Sequence, residues 1–309
     1  MKQMHEEDVK GAKDKQEKKE KWENKKNQGK TREREGEKER MGKKGGEGGR
    51  NTPMGKGQKD VPNQKSTPNI RTNSKLTPLQ AKMKASLSGA RFRWINEQLY
   101  TSSASSAHEL MRSQPNLYED YHAGFAAQLV GWPTPPLDAL AVLLQKLPKT
   151  ALIADLGSGP GTLAKKLVPQ GRKVLSFDLH PDDWVTEADF CERIPLPGSE
   201  GEESGAIVDA CVCCLSLMGT DWICGVREAR RVLVANGQLL VAEVTSRFTD
   251  VSNFVQVIES VGFRMTKKDD GDTHFMLFVF EKVDKDLEEW EEVVQRAEGL
   301  LKPCEYKRR

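Results

Sequence analysis

Residues 151–161 read Ala-Leu-Ile-Ala-Asp-Leu-Gly-Ser-Gly-Pro-Gly. An apolar run that ends in Asp155 passes directly into Gly157, Gly159 and Gly161, alternate glycines in one short turn. Glycine has no Cβ, adopts positive φ without strain and lets a ligand lie against the backbone. The stretch therefore predicts a buried strand, a tight turn that approaches a ligand, and a helix over residues 162–167 whose N-terminus faces that ligand.

Spacing narrows the ligand. A dinucleotide fingerprint needs G-x-G-x-x-G with the helix start against a pyrophosphate; here the third glycine comes one residue early and Thr162 stands in the last glycine's place. A second strand over residues 173–177 ends in Asp178, 21 residues after Gly157, where an acid accepts both ribose hydroxyls of an adenosine. A third strand near residues 184–186 leads to Ala188-Asp189-Phe190. There a carboxylate and a flat apolar ring bracket an adenine, the acid beside its exocyclic amine. Glycine turn, ribose acid and adenine acid, in that order, predict S-adenosylmethionine as the cofactor of a Rossmann-like methyltransferase.

The remaining pattern fits an α/β domain. Residues 207–215 form an apolar run broken only by Asp209, the mark of a central strand buried on both faces. A helix is expected over 222–233, a turn at Asn236-Gly237, a fifth strand over 238–244 and a helix over 250–261 closed by Gly262. Residues 263–268 and 274–282 fit an antiparallel hairpin around Asp270-Gly271. The expected fold is a Rossmann-like class I methyltransferase with a seven-stranded, mostly parallel sheet covered on both faces.

A formal net charge of +2 hides a division. Residues 1–93 carry 26 Lys and Arg against 13 Asp and Glu, whereas residues 94–309 carry 22 against 33. The first 75 residues have too few aliphatic side chains to offset the entropy of ordering the chain, and residues 1–90 are expected to be a disordered basic arm. Its composition suits phosphate contact with nucleic acid and nuclear import; the simpler reading is a solvated tail. Residues 91–147 form a helical lid, 148–283 the methyltransferase core and 284–309 a C-terminal tail with an amphipathic helix over 287–301.

No run approaches the roughly 20 apolar residues that span a bilayer, and the N-terminus lacks the apolar segment of a secretory signal. The expectation is a soluble, intracellular protein with no membrane partner. Six cysteines then read as free thiols; Cys211, Cys213, Cys214 and Cys224 form no C-x-x-C pair, and no metal site is expected. Cys213 or Cys214 as a covalent nucleophile for pyrimidine methylation competes with a buried structural thiol, which is preferred. In the lid, Trp94, Tyr100 and Trp132 read first as residues that pack it to the sheet.

Motifs scattered over residues 91–282 carry a family resemblance. Tyr121-His122-x-Gly124-Phe125-x-x-Gln128, Trp132-Pro133, Ser176-Phe177-Asp178-Leu179, Cys214-Leu215-Ser216-Leu217-Met218-Gly219-Thr220 and Ala242-Glu243-Val244-x-Ser246-Arg247-Phe248 closely resemble the ribosomal RNA-processing protein 8 (nucleomethylin) family of rRNA adenine N1-methyltransferases. The resemblance implies a nucleolar, S-adenosylmethionine-dependent enzyme that forms N1-methyladenosine in large-subunit ribosomal RNA. By motif it places cofactor contacts on His122, Gly157, Asp178, Asp189, Phe190 and Cys214, to which the glycine turn adds Gly159. The chain departs from the family at Ser158 and Pro160, where Gly-Cys-Gly-Asp is usual, and at Phe190, where Met is usual.

Adenine N1 is largely unprotonated near neutral pH and carries its own lone pair, so alignment and water exclusion replace a strong base. Consistently, Cys214-Leu215-Ser216-Leu217-Met218 stands where an Asn/Asp-Pro-Pro-aromatic loop would hold an exocyclic amine. Ser216, Met218 and Arg247 are the expected substrate-side residues. Glu243 either orients the base or accepts from backbone donors at the end of strand five. Expected partners are large-subunit ribosomal RNA and pre-ribosomal particles in the nucleus and nucleolus. A cofactor-binding adaptor for chromatin-associated or pre-ribosomal proteins, with little catalysis, is the alternative.

Overall fold

The computed structural model describes residues 77–199, 205–285 and 287–304. Seven strands form one sheet: β1 (Leu152–Leu156), β2 (Lys173–Asp178), β3 (Val185–Glu187), β4 (Val208–Cys214), β5 (Leu233–Val244), β6 (Phe263–Asp269) and β7 (Phe275–Lys282). Their order is β3-β2-β1-β4-β5-β7-β6, and β7 runs antiparallel to both its neighbours while β1 to β5 are mutually parallel. Order reverses between β1 and β4, and ligands of open α/β sheets settle outside the carboxyl ends of strands at such a switch.

Period-2 alternation divides the core. Ala154, Leu156, Cys211, Cys213, Leu239 and Val241 point to one face, under helices α6 (Trp222–Val232), α7 (Val251–Ser260) and α8 (Trp290–Ala297). Ile153, Ala210, Val212, Leu240 and Ala242 point to the other, under α4 (Pro136–Leu144) and α5 (Thr162–Leu167). A third apolar cluster joins α1 (Pro78–Thr101), α2 (Ala104–Ser113) and α3 (Asn116–Leu129) into the lid. Here α1 crosses α3 at Gly124, where a Cβ would stand 2.4 Å from the Phe92 ring; this close crossing accounts for glycine in the Tyr-His-x-Gly-Phe motif.

Several boundaries differ from expectation. Helix α1 starts at Pro78, inside the stretch assigned to the disordered arm, because Thr77 and Gln80 close a capping box and proline occupies the first turn. Residues 1–76, and the basic Lys307-Arg308-Arg309 end, lie outside the described residues. Asn236-Gly237 is no free turn but an excursion within the long β5: Asn236 takes φ 60° where the pairing with β4 shifts between Val208 and Ala210. The C-terminal helix is shorter than expected, and Pro135-Pro136 opens α4 rather than preceding it, with Pro135 at the cap and Pro136 as the first helical residue. Trp94 is 44% exposed and does not pack the lid to the sheet, whereas Trp132 stacks on Phe275 and Tyr100 is buried. Among the described residues no helix is long and apolar enough to cross a membrane.

Candidate active site

At the end of β1 the chain turns back over β2. The amides of Gly157 and Ser158 both donate to the carbonyl of Phe177, at 2.9 and 3.0 Å, and the amide of Gly159 donates to Asp178 Oδ2 at 2.7 Å. Asp178 Oδ1 accepts from the amide of Leu179 at 2.8 Å. Gly157, Gly159 and Gly161 take φ of 70°, 57° and 67°. A Cβ on Gly157 would lie 2.4 Å from Ser216 Cβ, and one on Gly159 2.9 Å from the His122 ring, so the turn is stripped to backbone where two side chains converge on it.

Above this turn a cavity of about 450 Å³ opens between the lid and the carboxyl ends of the strands. Four aspartates line it: Asp138 from α4, which is paired with Lys166, and three at strand ends, Asp155 and Asp178 closing β1 and β2 and Asp189 just after β3. Neither oxygen of buried Asp155 has a hydrogen-bond partner, nor does Asp189 Oδ2, although Asp189 Oδ1 accepts from the amide of Cys191 at 2.8 Å. Burial, reinforced by the neighbouring Asp178, pushes Asp155 up to about 7. Burial also raises Asp178 to about 6, against the opposing pull of the Gly159 and Leu179 amides. Asp189 is raised by burial as well. A buried polar atom without a partner costs roughly 1–3 kcal/mol, so the site has three acceptor oxygens prepared for N–H or O–H groups of a ligand. A nucleoside with an amino-acid tail meets that requirement, since it offers an exocyclic amine, hydroxyls and an ammonium group.

The lid supplies an aromatic wall. Tyr118 stacks on His180 with ring centroids 4.7 Å apart and leans on His122 at 4.3 Å. Tyr121 donates its hydroxyl to Met218 Sδ at 3.3 Å, tying α3 to the loop after β4. Burial, with a smaller contribution from His180, lowers His122 to about 4, so its ring is neutral at neutral pH. Phe190 presses on α6 at Gly225, where a Cβ would lie 2.4 Å from its ring.

His122, Gly157, Gly159, Asp178, Asp189, Phe190, Cys214, Ser216 and Met218 all line this one cavity. Glu243 and Arg247 do not, and the expectation that they face substrate is corrected. They form a fully buried pair, Arg247 Nη1 to Glu243 Oε2 at 2.7 Å. Glu243 Oε1 accepts from the amide of Leu217 at 2.9 Å. Arg247 Nη2 donates to the Leu217 carbonyl and Nε to that of Lys302, both at 2.8 Å, and the guanidinium lies 4.5 Å from the centre of the Tyr100 ring. The pair thereby holds backbone of two segments, Leu217 in the loop after β4 and Lys302 near the C-terminus; in that loop Leu215 adopts φ 57°. That backbone costs a non-glycine residue roughly 1 kcal/mol or more. The backbone-acceptor role considered for Glu243 is the one observed.

Burial raises the thiols of Cys213 and Cys214 far above the ordinary range, which disfavours the thiolate that a covalent nucleophile needs. Asp155 is a residue of the site that the family motifs do not assign. The signal was its position, an acid closing an apolar strand two residues before the first glycine.

Sheet order with an antiparallel β7, a glycine turn at the switch point and acids at three neighbouring strand ends define a Rossmann-like class I methyltransferase domain. A family model described as "Hypothetical methyltransferase" matches residues 78–309. The chain belongs to this family, together with the ribosomal RNA-processing protein 8 relatives. One of these, from Dictyostelium discoideum, is 37% identical over 246 residues, covering 76% of this chain and 61% of its own length. The 25S rRNA (adenine(645)-N(1))-methyltransferase of Saccharomyces cerevisiae is 37% identical over 295 residues, covering 77% of this chain and 73% of its own length. The chain thus spans about three fifths of the first relative and nearly three quarters of the second. Among solved structures, a TehB-like SAM-dependent methyltransferase from Corynebacterium glutamicum aligns at 21% identity with a TM-score of 0.44, over 55% of this chain and 100% of its own.

Proposed function

We propose that this protein transfers a methyl group from S-adenosylmethionine to N1 of an adenine in large-subunit ribosomal RNA. The observation that carries the reading is the convergence of Asp155, Asp178 and Asp189 on one cavity, with acceptor oxygens left unpartnered, above a turn stripped to backbone. In this assignment Asp178 accepts the ribose hydroxyls while its amide bonds fix the turn. Asp189 Oδ2 takes the exocyclic amine of the cofactor adenine, with Phe190 against the ring. Gly157 and Gly159 allow close approach, and Asp155 accepts from the cationic tail. His122 and Cys214 complete the cofactor wall.

S-adenosylmethionine, when bound, supplies an activated sulfonium methyl. The chain supplies alignment and dryness: Tyr118, Tyr121, Phe125 and Met218 form an apolar roof and wall over the site, and exclusion of water lets an adenine lone pair compete for the methyl. No strong base is required, which fits a cavity whose histidine is neutral and whose Cys214 thiol is held protonated. Ser216 and Met218 lie on the substrate side. Because N1 is occupied in a duplex, the target must be unpaired or turned out of the stack, at a cost of a few kcal/mol.

The same reading places the protein in nucleolar ribosome biogenesis, with pre-ribosomal particles as partners. Tritium transfer from labelled S-adenosylmethionine to isolated large-subunit RNA tests it, with Asp178→Ala as the control. Transfer lost in the variant supports the enzyme; cofactor binding without transfer by the wild type supports an adaptor for chromatin-associated or pre-ribosomal proteins.

A further inference from the structure

The outer half of α1 is a helix without a core. From Thr77 to Ser88 every residue is exposed, and Leu79, Met83 and Leu87, one face at successive four-residue steps, are 67%, 58% and 70% exposed. Only from Phe92 onward does the helix bury side chains, and there it presents the opposite face, Phe92, Ile95 and Leu99. An open groove of about 480 Å³ runs along the outer half, lined by Gln80, Met83, Lys84, Leu87, Ser88 and Arg91, with Asp120 at its edge. Asp120 is neutralised by Arg91 at 2.5 Å, whereas Lys82 and Lys84 have no ion pair among the described residues.

We propose that this groove binds an unpaired RNA strand that flanks the target base, an inference that rests on the RNA reading given above. Charge argues for the occupant. Residues 77–96 hold four cations and no acid, while residues 94–309 carry 11 more acids than bases. A phosphate chain approaching an acidic body is favoured along α1. The groove is also amphiphilic in the way a single strand needs: Lys84 for a phosphate, Gln80 and Ser88 as hydrogen-bonding groups, Met83 and Leu87 as apolar surface for bases and sugars. Direction argues too. The inner end of the same helix delivers Leu99 to the active-site cavity, and at 1.5 Å per residue Lys84 lies roughly 22 Å from it along the axis. One rigid helix therefore spans from phosphate grip to reaction site.

The test is fluorescence anisotropy of a 5′-fluorescein-labelled, unpaired 20-nucleotide oligoadenylate with the full chain at several salt concentrations. Lys84→Ala is expected to weaken binding several-fold and to flatten the slope of log affinity against log salt by about 0.7, the value of one phosphate contact on a single strand. Met83→Ser/Leu87→Ser is expected to weaken binding several-fold without changing that slope. Both variants should keep wild-type affinity for S-adenosylmethionine, because none of Met83, Lys84 and Leu87 touches the cofactor cavity. Lys267→Ala/Lys268→Ala, whose cations are already paired with Asp269 and Asp270, serves as the control and should leave the slope unchanged. Unchanged affinity and slope in both α1 variants, or equal losses in the Lys267/Lys268 control, overturns the proposal. If the strand binds through the groove yet large-subunit RNA receives no methyl, the enzyme reading fails while the groove stands.

Discussion

Gly159 and Asp178 are joined by a hydrogen bond of 2.7 Å from backbone amide to carboxylate, so the acid that would hold a ribose also sets the shape of the turn beneath it. Removing the carboxylate removes both functions. Asp178→Ala is expected to weaken S-adenosylmethionine binding by roughly 100-fold, the loss of about 3 kcal/mol from charge-assisted hydrogen bonds. Isothermal titration calorimetry measures this directly, and affinity within threefold of wild type would refute the assignment.

The turn itself is tested at Gly159. Its φ of 57° disfavours any side chain, and an added Cβ would meet the His122 ring at 2.9 Å. Gly159→Ala should lose roughly tenfold in cofactor affinity, corresponding to about 1–2 kcal/mol of backbone strain. Combining it with His122→Ala relieves the contact but not the backbone, so calorimetry of the double variant should show no full recovery.

Protonation of the paired acids gives a pH signature. Asp155 and Asp178 have folded-state values raised to about 7 and about 6, so between pH 4 and 7 the folded chain binds more protons than the unfolded one. Stability from these groups is full below about pH 4 and is lost as pH rises through 6 to 7. His122, lowered to about 4, works in the opposite sense between pH 4 and 6.5. Asp155→Asn leaves the histidine in place, so the difference between wild type and variant in urea unfolding isolates the acid. The wild type should lose stability relative to Asp155→Asn as pH rises from 5 to 7.5; parallel curves would contradict the assignment.

Glu243 and Arg247 carry the loop after β4 from beneath. Arg247→Met leaves Glu243 buried and unpaired, and Glu243→Met does the converse; each should cost about 3–5 kcal/mol in chemical denaturation. The double replacement should cost less than the sum of the two, because no uncompensated charge remains. Additive losses would mean that the pair does not act as a unit.

Cys213 and Cys214 have thiols that burial holds protonated. Cys213→Ala and Cys214→Ala should therefore retain methyl transfer within about tenfold, the remaining loss arising from packing. Abolished transfer with normal cofactor affinity would restore the covalent-nucleophile reading.

What could be read from sequence divides by the range of the interactions involved. The glycine turn, Asp178 and Asp189 were legible because strand ends and short spacings fix them locally, and the sheet followed from apolar runs punctuated by turn residues. His122 was reached only through family resemblance, since nothing in a helical Tyr-His pair indicates that its ring will meet Gly159. The place of Arg247 is not legible locally, because its partners Leu217, Tyr100 and Lys302 come from three separate segments. An arginine beside a strand end reads as a substrate contact until the C-terminal segment is seen to cover it. The start of helix α1 is not legible in apolar periodicity, because that of its core-facing half stops at Phe92, whereas the capping box that starts the helix lies at Thr77.

The most direct measurement is a reverse-transcription stop map of large-subunit ribosomal RNA from cells with and without this protein, because a methyl on N1 blocks base pairing. Loss of a single stop at an adenosine, restored by the wild-type chain and not by Asp178→Ala, is the predicted result. An unchanged map, or a lost mark at a cytidine, would contradict adenine N1 methylation as the function of this cavity.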